Sequence, residues 1–501
     1  MQGFTYIDLV ILIVYLAAVL FAGLHFAKKE MKGKEYFKGD GTVPWWVTSV
    51  SIFATLLSPI SFLSLAGNSY AGTWIMWFAQ LGMLLAIPLT IKFFLPIYSK
   101  LDIDTAYHYL ELRFGSKGLR VLGAVMFIVY QIGRMSIIMY LPCMVLGSLT
   151  GINVNLLIII MGVIAIIYSY TGGLKSVLWT DFIQGSVLLI GVTFALIFLL
   201  VHLDGGIGSI FQAFATEHKF LAVDQPIFNP NILKDSVFIM IVGAGFNTMG
   251  SYVSSQDIVQ RFTTTTDTKK LNKMMLTNGA LSIFIATVFY LIGTGLFVFY
   301  KQNALPPAAA QDQIFASYIA FELPVGVTGL LLAAIYAAAQ STLSTGLNSV
   351  ASSWTLDIQS SLSKKELGFE KETKIGQRVS LIVGIFAIVV AMVLANGGVK
   401  SAYEWFNGFM GLVLGILIGT FILGAFTKVA NTFGAVAAFI ASSAVMVYIK
   451  YFVPADKVTI WSYSIISIVV SLVIGIPASI IWRKVKGDKS VPAPKTTIFK
   501  N

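Results

Sequence analysis

Two ionisable side chains stand where an apolar chain should not place them, and a run of hydroxyls stands beside a third apolar stretch. Arg134 lies halfway along the apolar segment around Tyr130-Gln-Ile-Gly-Arg-Met135, and Asp181 lies near the start of another, in Trp179-Thr-Asp-Phe-Ile-Gln184. A guanidinium cannot deprotonate, so Arg134 needs an anion, carbonyls or water around it. A carboxylate held in a membrane span costs around 2.5 kcal/mol or more unless it has a partner. The third feature is Ala337-Ala-Ala-Gln-Ser-Thr-Leu-Ser-Thr-Gly-Leu-Asn348. At about 100° per residue, Ser341, Thr342, Ser344 and Thr345 share a little under half of a helix circumference, with Asn348 in the same arc. Such neutral oxygens suit a hard cation. Small hydroxyl residues also let helices pack closely and bond back to their own carbonyls, so the run alone fits either role.

The elements that must position these groups follow from composition. Of the 501 residues, 57% are hydrophobic and 11% charged, with a mean hydropathy of +0.82. Soluble domains carry roughly 25% charged residues, so this is an all-α polytopic membrane protein. Thirteen transmembrane helices are expected. Residues 1–42 hold one N-terminal helix and a loop, 43–202 a set of five spans, and 203–235 an external loop. A second set of five occupies 236–425, two C-terminal helices 426–483, and a tail 484–501. The net charge is +11, from 34 Lys and Arg against 23 Asp and Glu, and no basic patch interleaved with aromatics points to nucleic acid. Most basic residues fall on one set of alternating loops: Lys28, Lys29, Lys32, Lys34 and Lys38, then Lys100, Arg113, Lys117 and Arg120, then Arg261 to Lys273, then Lys364, Lys365, Lys371, Lys374 and Arg378, and the tail from Arg483. Basic loops are cytoplasmic, which sets the N-terminus outside and the C-terminus inside.

Two spans carry helix-breaking sequence. Ala54-Thr-Leu-Leu-Ser-Pro-Ile-Ser61 holds Pro59, which lacks a backbone donor, and Gly243-Ala-Gly-Phe-Asn-Thr-Met-Gly250 is a weak helix former. They are five spans apart and therefore run in opposite directions. Broken helices at matching places in two inverted halves point to the central binding site of a transporter, although Pro and Gly also kink membrane helices without function. At the first break, carbonyls near Ala54 and Leu57 suit a cation, while N–H groups near Ser58 suit an anion. No mid-span carboxylate is a clear counter-ion for Arg134, so a mobile anion is its expected partner, with Gln80 adding orienting hydrogen bonds. No Lys or Arg is an obvious mate for Asp181, so a cation between it and the hydroxyl run is expected; capping of a helix start together with Thr180 is the alternative. Asn247, in the Gly-rich segment, is a further cavity candidate. Asp257 is expected to pair with Arg261 or to act as a gate.

The remaining features look structural. Asp104 to Phe114 reads as a short amphipathic helix on the cytoplasmic surface, bounded by Gly115, and the tail Val491-Pro-Ala-Pro-Lys495 as unstructured. Cys143 is the sole cysteine, which excludes a disulfide framework and a thiolate metal site. His25 and His108 have no metal-ligand neighbours. No His-Glu-x-x-His, paired-aspartate or Ser/His arrangement suggests an enzyme, and no filter motif or charged ring suggests a channel.

The broken segments, the hydroxyl run, Tyr168-Ser-Tyr-Thr-Gly-Gly-Leu-Lys-Ser-Val-Leu-Trp-Thr-Asp181, Thr105 to Phe114 and Ser255 to Phe262 resemble the sodium solute symporter family. Within it, the set Ser58, Ser61, Gln80 and Arg134 is most similar to the bacterial sodium–sialic acid symporters. The resemblance implies inverted five-helix repeats of the leucine-transporter type, preceded by one extra helix, in a bacterial plasma membrane. It implies symport of sodium with sialic acid or a close acidic sugar, with another solute of the family (sugar, proline or monocarboxylate) as the alternative. The main sodium site would use carbonyls of Ala54, Leu57 and Ala338 with the hydroxyls of Ser341 and Thr342. A second sodium, found in part of the family, would use Asp181 with Ser341, Thr342, Ser344 and Thr345. The sugar carboxylate would meet Ser58, Ser61 and Arg134, with Gln80 near the hydroxylated end. Leu56 departs from an expected hydroxyl, Met76 from an aromatic and Ser61 from a threonine, which bears on the contacts to the rest of the sugar.

Overall fold

In a hydrocarbon environment every backbone N–H and C=O must find its partner within the segment, and long apolar runs meet that demand as helices. The computed structural model describes residues 5–27, 34–303, 313–363, 368–397, 402–454, 456–487 and 492–499, and among them no strand occurs. Lys28, Lys29, Lys32, Lys364 and Lys365 lie outside the described residues. The helices used below are α1 (Tyr6–Phe26), α2 (Trp45–Leu56), α3 (Pro59–Ala71), α4 (Trp74–Leu101), α5 (Ala106–Phe114), α6 (Lys117–Thr150) and α7 (Val154–His202). They continue with α8 (Val237–Ser254), α9 (Gln256–Phe262), α10 (Thr268–Gln302), α11 (Val327–Ser352), α12 (Phe369–Asn396), α13 (Ala402–Phe426), α14 (Thr432–Phe452) and α15 (Tyr463–Lys486). Ten described helices are long and apolar enough to cross a bilayer, and the bent pair α2–α3 makes eleven. At 49 residues α7 is far longer than one crossing needs, and it turns at Gly173, whose φ is +55°. A Cβ there would also lie 2.5 Å from the Tyr36 carbonyl, so both the turn and the close approach require glycine.

The centre of the bundle is α11. Every residue from Leu331 to Ser352 is buried, and its most extensive neighbour is α7. α2, the first half of the broken span, lies between α7 and α10 and also touches α11, while α3 packs on α10. Asp8 caps α1 together with Thr5, and its other carboxylate oxygen accepts from the N–H groups of Gly326 and Gly329, 2.8 Å each. A buried acid thus anchors the extra N-terminal helix to the start of the central one.

Three sequence expectations change here. First, the Gly243–Gly250 segment does not break: α8 runs unbroken through it to Ser254, and the interruption falls at Ser255, with φ −92° and ψ 117°. Those glycines serve close packing instead. A Cβ on Gly243 would lie 2.0 Å from the Trp461 carbonyl, and one on Gly245 3.0 Å from the Gly82 carbonyl. Second, α5 is the short helix expected, but its apolar face is buried within the bundle. Thr105 caps it and Gly115 ends it at φ +66°, but Tyr107, Tyr109, Leu110 and Phe114 are buried, and Arg113 donates to the carbonyls of Gly424, Thr427 and Ala430. Third, the described tail residues 492–499 pack on the bundle, Val491 lying outside the described residues: Tyr109 donates to the Thr496 carbonyl at 3.0 Å, and the Ile498 N–H to the Ala425 carbonyl at 3.1 Å.

Candidate binding site at two broken helices

The first break follows from one imino acid. In a continuous helix the Thr55 carbonyl would accept from the N–H of residue 59, which proline lacks. α2 therefore ends at Leu56, Ser58 adopts an extended conformation, and α3 leaves at 64° to α2. Arg134 Nη2 donates to the Thr55 carbonyl at 2.7 Å and so satisfies the orphaned acceptor. Ser58 caps α3, accepting from the Ser61 N–H at 3.3 Å, with the two hydroxyls also 3.3 Å apart. The Thr55 hydroxyl lies 3.3 Å from that of Thr345, which pins the break to α11.

Leu56, Ser58, Ser61 and Arg134 border one cavity of about 90 Å³, together with Tyr130, Ser251, Ser255, Asp257 and Ile258. Small-molecule sites typically run from roughly 300 to 1,000 Å³, so the cavity in this arrangement is smaller than a bound sugar requires. The cavity therefore joins both breaks, since Ser255 marks the second. At its wall Arg134 is already paired: Nη1 lies 2.5 Å from Asp257 Oδ2. This corrects the expectation that Arg134 lacks a fixed acid, and equally the expected Asp257–Arg261 pair. Asp257 also accepts from the Ser255 hydroxyl. The remaining nitrogen of the guanidinium, Nε, is buried and makes no hydrogen bond of ordinary geometry among the described residues.

Asp181 has a fixed partner too. Arg261 is fully buried, and its Nη2 donates to Asp181 Oδ2 at 2.7 Å and to the Thr345 hydroxyl at 2.6 Å, while Nε donates to Ser51 at 2.8 Å. A third donor, Nη1, reaches the Asp257 carbonyl. The absence of a cationic mate for Asp181 is thereby overturned; the mate is 80 residues away in sequence. Ser51 and Thr345 donate to the same oxygen, Oδ2, at 2.5 and 3.2 Å. Asp181 Oδ1 and the Ser341 hydroxyl lie side by side and buried, and among the described residues neither has a hydrogen-bond partner outside this pair. An alkali cation needs acceptors only, and these two adjacent buried oxygens supply two of them.

The other expected residues take varied positions. Ala54 and Leu57 occupy the last turn of α2, where carbonyls lose their helical partners as Ser58 leaves the helix. The Ala338 carbonyl accepts from the Thr342 hydroxyl at 3.0 Å, and the Ser341 carbonyl from Ser344 at 3.1 Å, so these two hydroxyls are back-bonded. Gln80 and Met76 lie on the first turns of α4, outside the set that borders the cavity; the Met76 sulfur accepts from Asn68. Asn247 is exposed one turn from Ser251, and its side chain accepts from Ser464 at 3.3 Å. Sequence reasoning missed Tyr130, Ser251, Ser255, Ile258 and the cavity-facing place of Asp257. The available signal was helical spacing: Tyr130 sits four residues before Arg134, and Asp257 four before Arg261.

Further ion pairs join the elements at the basic end of the bundle. Arg120 bridges Asp357 at 2.7 Å and Glu111 at 2.8 Å, and Lys38 reaches Asp104 at 3.0 Å. In the loop after residue 38, burial would lift the Asp40 carboxyl, but Lys175 at 2.6 Å and the Thr42 hydroxyl outweigh it and hold it at about 2.

Comparison with known proteins agrees with this architecture. The sodium:solute symporter family model matches residues 36–442. A sodium/sialic acid symporter, SiaT of Proteus mirabilis (strain HI4320), is 35% identical over 453 residues, covering 90% of this chain and 91% of its own. The solved structure of a Na+-coupled sialic acid symporter in a substrate-bound outward-open state superposes with a TM-score of 0.88 at 34% identity, covering 95% of this chain and 98% of that one. Mhp1, a nucleobase-cation-symport-1 family transporter in a closed conformation, shares the fold at 15% identity and a TM-score of 0.59, over 92% of this chain and 96% of its own.

Proposed function

This chain belongs to the sodium:solute symporter family, and from that premise we propose that it imports sialic acid, or a close acidic sugar, with sodium by alternating access. The observation that carries the reading is the convergence of Ser58, Ser61 and Arg134 on one cavity at the α2–α3 break, with the Asp181 and Ser341 oxygens on the other side of α2.

In this reading the sugar carboxylate meets the Ser58 and Ser61 hydroxyls and the guanidinium of Arg134, at the positive end of α3. Leu56 borders the same cavity, and Gln80, Met76 and Asn247 face the sugar's hydroxylated end from the outer vestibule. The main sodium ion takes the carbonyls of Ala54, Leu57 and Ala338 with Ser341 and Thr342, fixing the broken span against α11. A second takes Asp181 with Ser341, Thr342, Ser344 and Thr345, for which Oδ1 supplies the charge. Two sodium ions and one anion move a net positive charge, worth about 2.3 kcal/mol per 100 mV of membrane potential. Counting α7 as two crossings and α13 as one raises eleven spans to thirteen, with the repeats at 43–202 and 236–425 and the basic end in the cytoplasm of a bacterial cell.

Uptake of radiolabelled N-acetylneuraminate into proteoliposomes, with sodium replaced by potassium, tests the proposal. Saturable uptake that disappears in potassium and is not competed by glucose, proline or pyruvate is expected. Uptake indifferent to sodium, or competed by one of those solutes, overturns it.

A further inference from the structure

The short helix α9 carries two opposite charges four residues apart, Asp257 and Arg261, and neither is paired with the other's side chain. Asp257 reaches across to Arg134 at the cavity, and Arg261 reaches across to Asp181 and Thr345 behind α2. All four charged side chains are buried, from 0% exposed for Arg261 and Asp181 to 5% for Arg134. The two pairs therefore hold α9 against α6 on one side and α7 on the other, and α9 belongs to the basic end.

We infer that α9 is a two-charge clasp in which the protein's own side chains occupy the places of the two transported ions. A carboxylate arriving at Arg134 does what Asp257 does there, and a sodium ion arriving at Asp181 does what Arg261 does there. The inference rests on the reading that Arg134 takes the acid and Asp181 a cation, and it goes beyond it by assigning Asp257 and Arg261 as internal competitors.

The same geometry supplies a physical origin for coupling. If the acid alone displaces Asp257, that carboxylate is left in a dry site without its counter-ion, which is costly. If sodium alone displaces Arg261, a buried guanidinium is stranded in the same way. When both are displaced, Asp257 and Arg261 stand at i and i+4 on one helix, acid first, which is the favourable order for an intrahelical pair. The two released charges then neutralise each other, and α9 is free to leave the bundle. Binding of one ion thus lowers the cost of binding the other, a reciprocal coupling between sites.

The test is equilibrium binding of N-acetylneuraminate to the purified full-length protein, by titration calorimetry in sodium and in potassium buffer. For the unaltered protein sodium should tighten acid binding. Asp257→Asn removes the internal competitor, so the acid should bind on the order of tenfold more tightly in potassium, with a smaller gain from sodium. Arg261→Gln should correspondingly tighten sodium binding in the absence of acid, read as the sodium concentration that half-protects against thermal unfolding. Weaker or unchanged acid binding in Asp257→Asn, with the sodium gain intact, overturns the clasp. If Asp257→Asn does not fold, unchanged or weaker sodium protection in Arg261→Gln overturns it in the same way. Failure of the unaltered protein to bind the acid at all is a separate outcome and counts against the proposed function instead.

Discussion

The two interrupted spans are broken for different reasons. Between α2 and α3 the cause is covalent: Pro59 has no N–H to offer Thr55, and the helix must stop wherever the rest of the protein lies. Between α8 and α9 no proline or glycine stands at the break; Ser254 and Ser255 are ordinary in any helix end, and the interruption is held by what Asp257 and Arg261 grip on α6 and α7. One break belongs to the backbone, the other to long-range contacts. The first is fixed, whereas the second is open to release.

Four substitutions bear on that contrast. The largest effect is expected from Arg134→Ala, which leaves the Asp257 carboxylate buried without its counter-ion and should cost about 3–5 kcal/mol. It should also abolish acid uptake, and hydrogen exchange should quicken in α9 while the α2–α3 bend keeps its protection pattern. Equal loosening of both breaks would erase the distinction. Gly243→Ala forces a methyl group toward the Trp461 carbonyl and should destabilise by about 1–3 kcal/mol in thermal melts, with the sodium dependence of uptake unaltered in the protein that folds. A changed sodium dependence would return that glycine to the role of a hinge. Ser255→Ala removes one hydrogen bond to Asp257 and should cost about 1 kcal/mol, read as faster exchange confined to α9.

The smallest effect concerns the loop after residue 38. Because Asp40 is held at about 2 in the folded protein, its pairing with Lys175 stabilises fully above the ordinary carboxylate range near pH 4. That contribution is lost as pH falls from about 4 through about 2. Asp40→Asn should flatten the acid limb of a melting-temperature profile there and leave neutral-pH behaviour of α9 untouched.

What the sequence made legible was whatever carries its cost in a single residue. A proline mid-span, an arginine or aspartate in hydrocarbon and a hydroxyl-rich face are conspicuous in one dimension, and Pro59, Arg134, Asp181 and the Ser341–Thr345 run all lie around the site. Pairing was not legible. Arg134 and Asp257 are 123 residues apart, and Arg261 and Asp181 are 80 apart, so only the packing of α6, α7 and α9 could show which charge meets which. The Gly243–Gly250 segment misled for a related reason: glycine signals a weak helix and a tight helix contact equally, and there the contact with Trp461 and α4 prevails. The tail was misjudged because Pro-rich composition says nothing of the Tyr109 hydroxyl waiting to receive it.

A missing hydrogen atom, finally, reaches further than the bend it creates. Because the Thr55 carbonyl is spoken for by Arg134 rather than by its own helix, the imino acid at position 59 aims a guanidinium that it never touches. Chemistry three elements away is thereby oriented by backbone composition, so the electrical character of the chamber can be retuned from a position outside its lining.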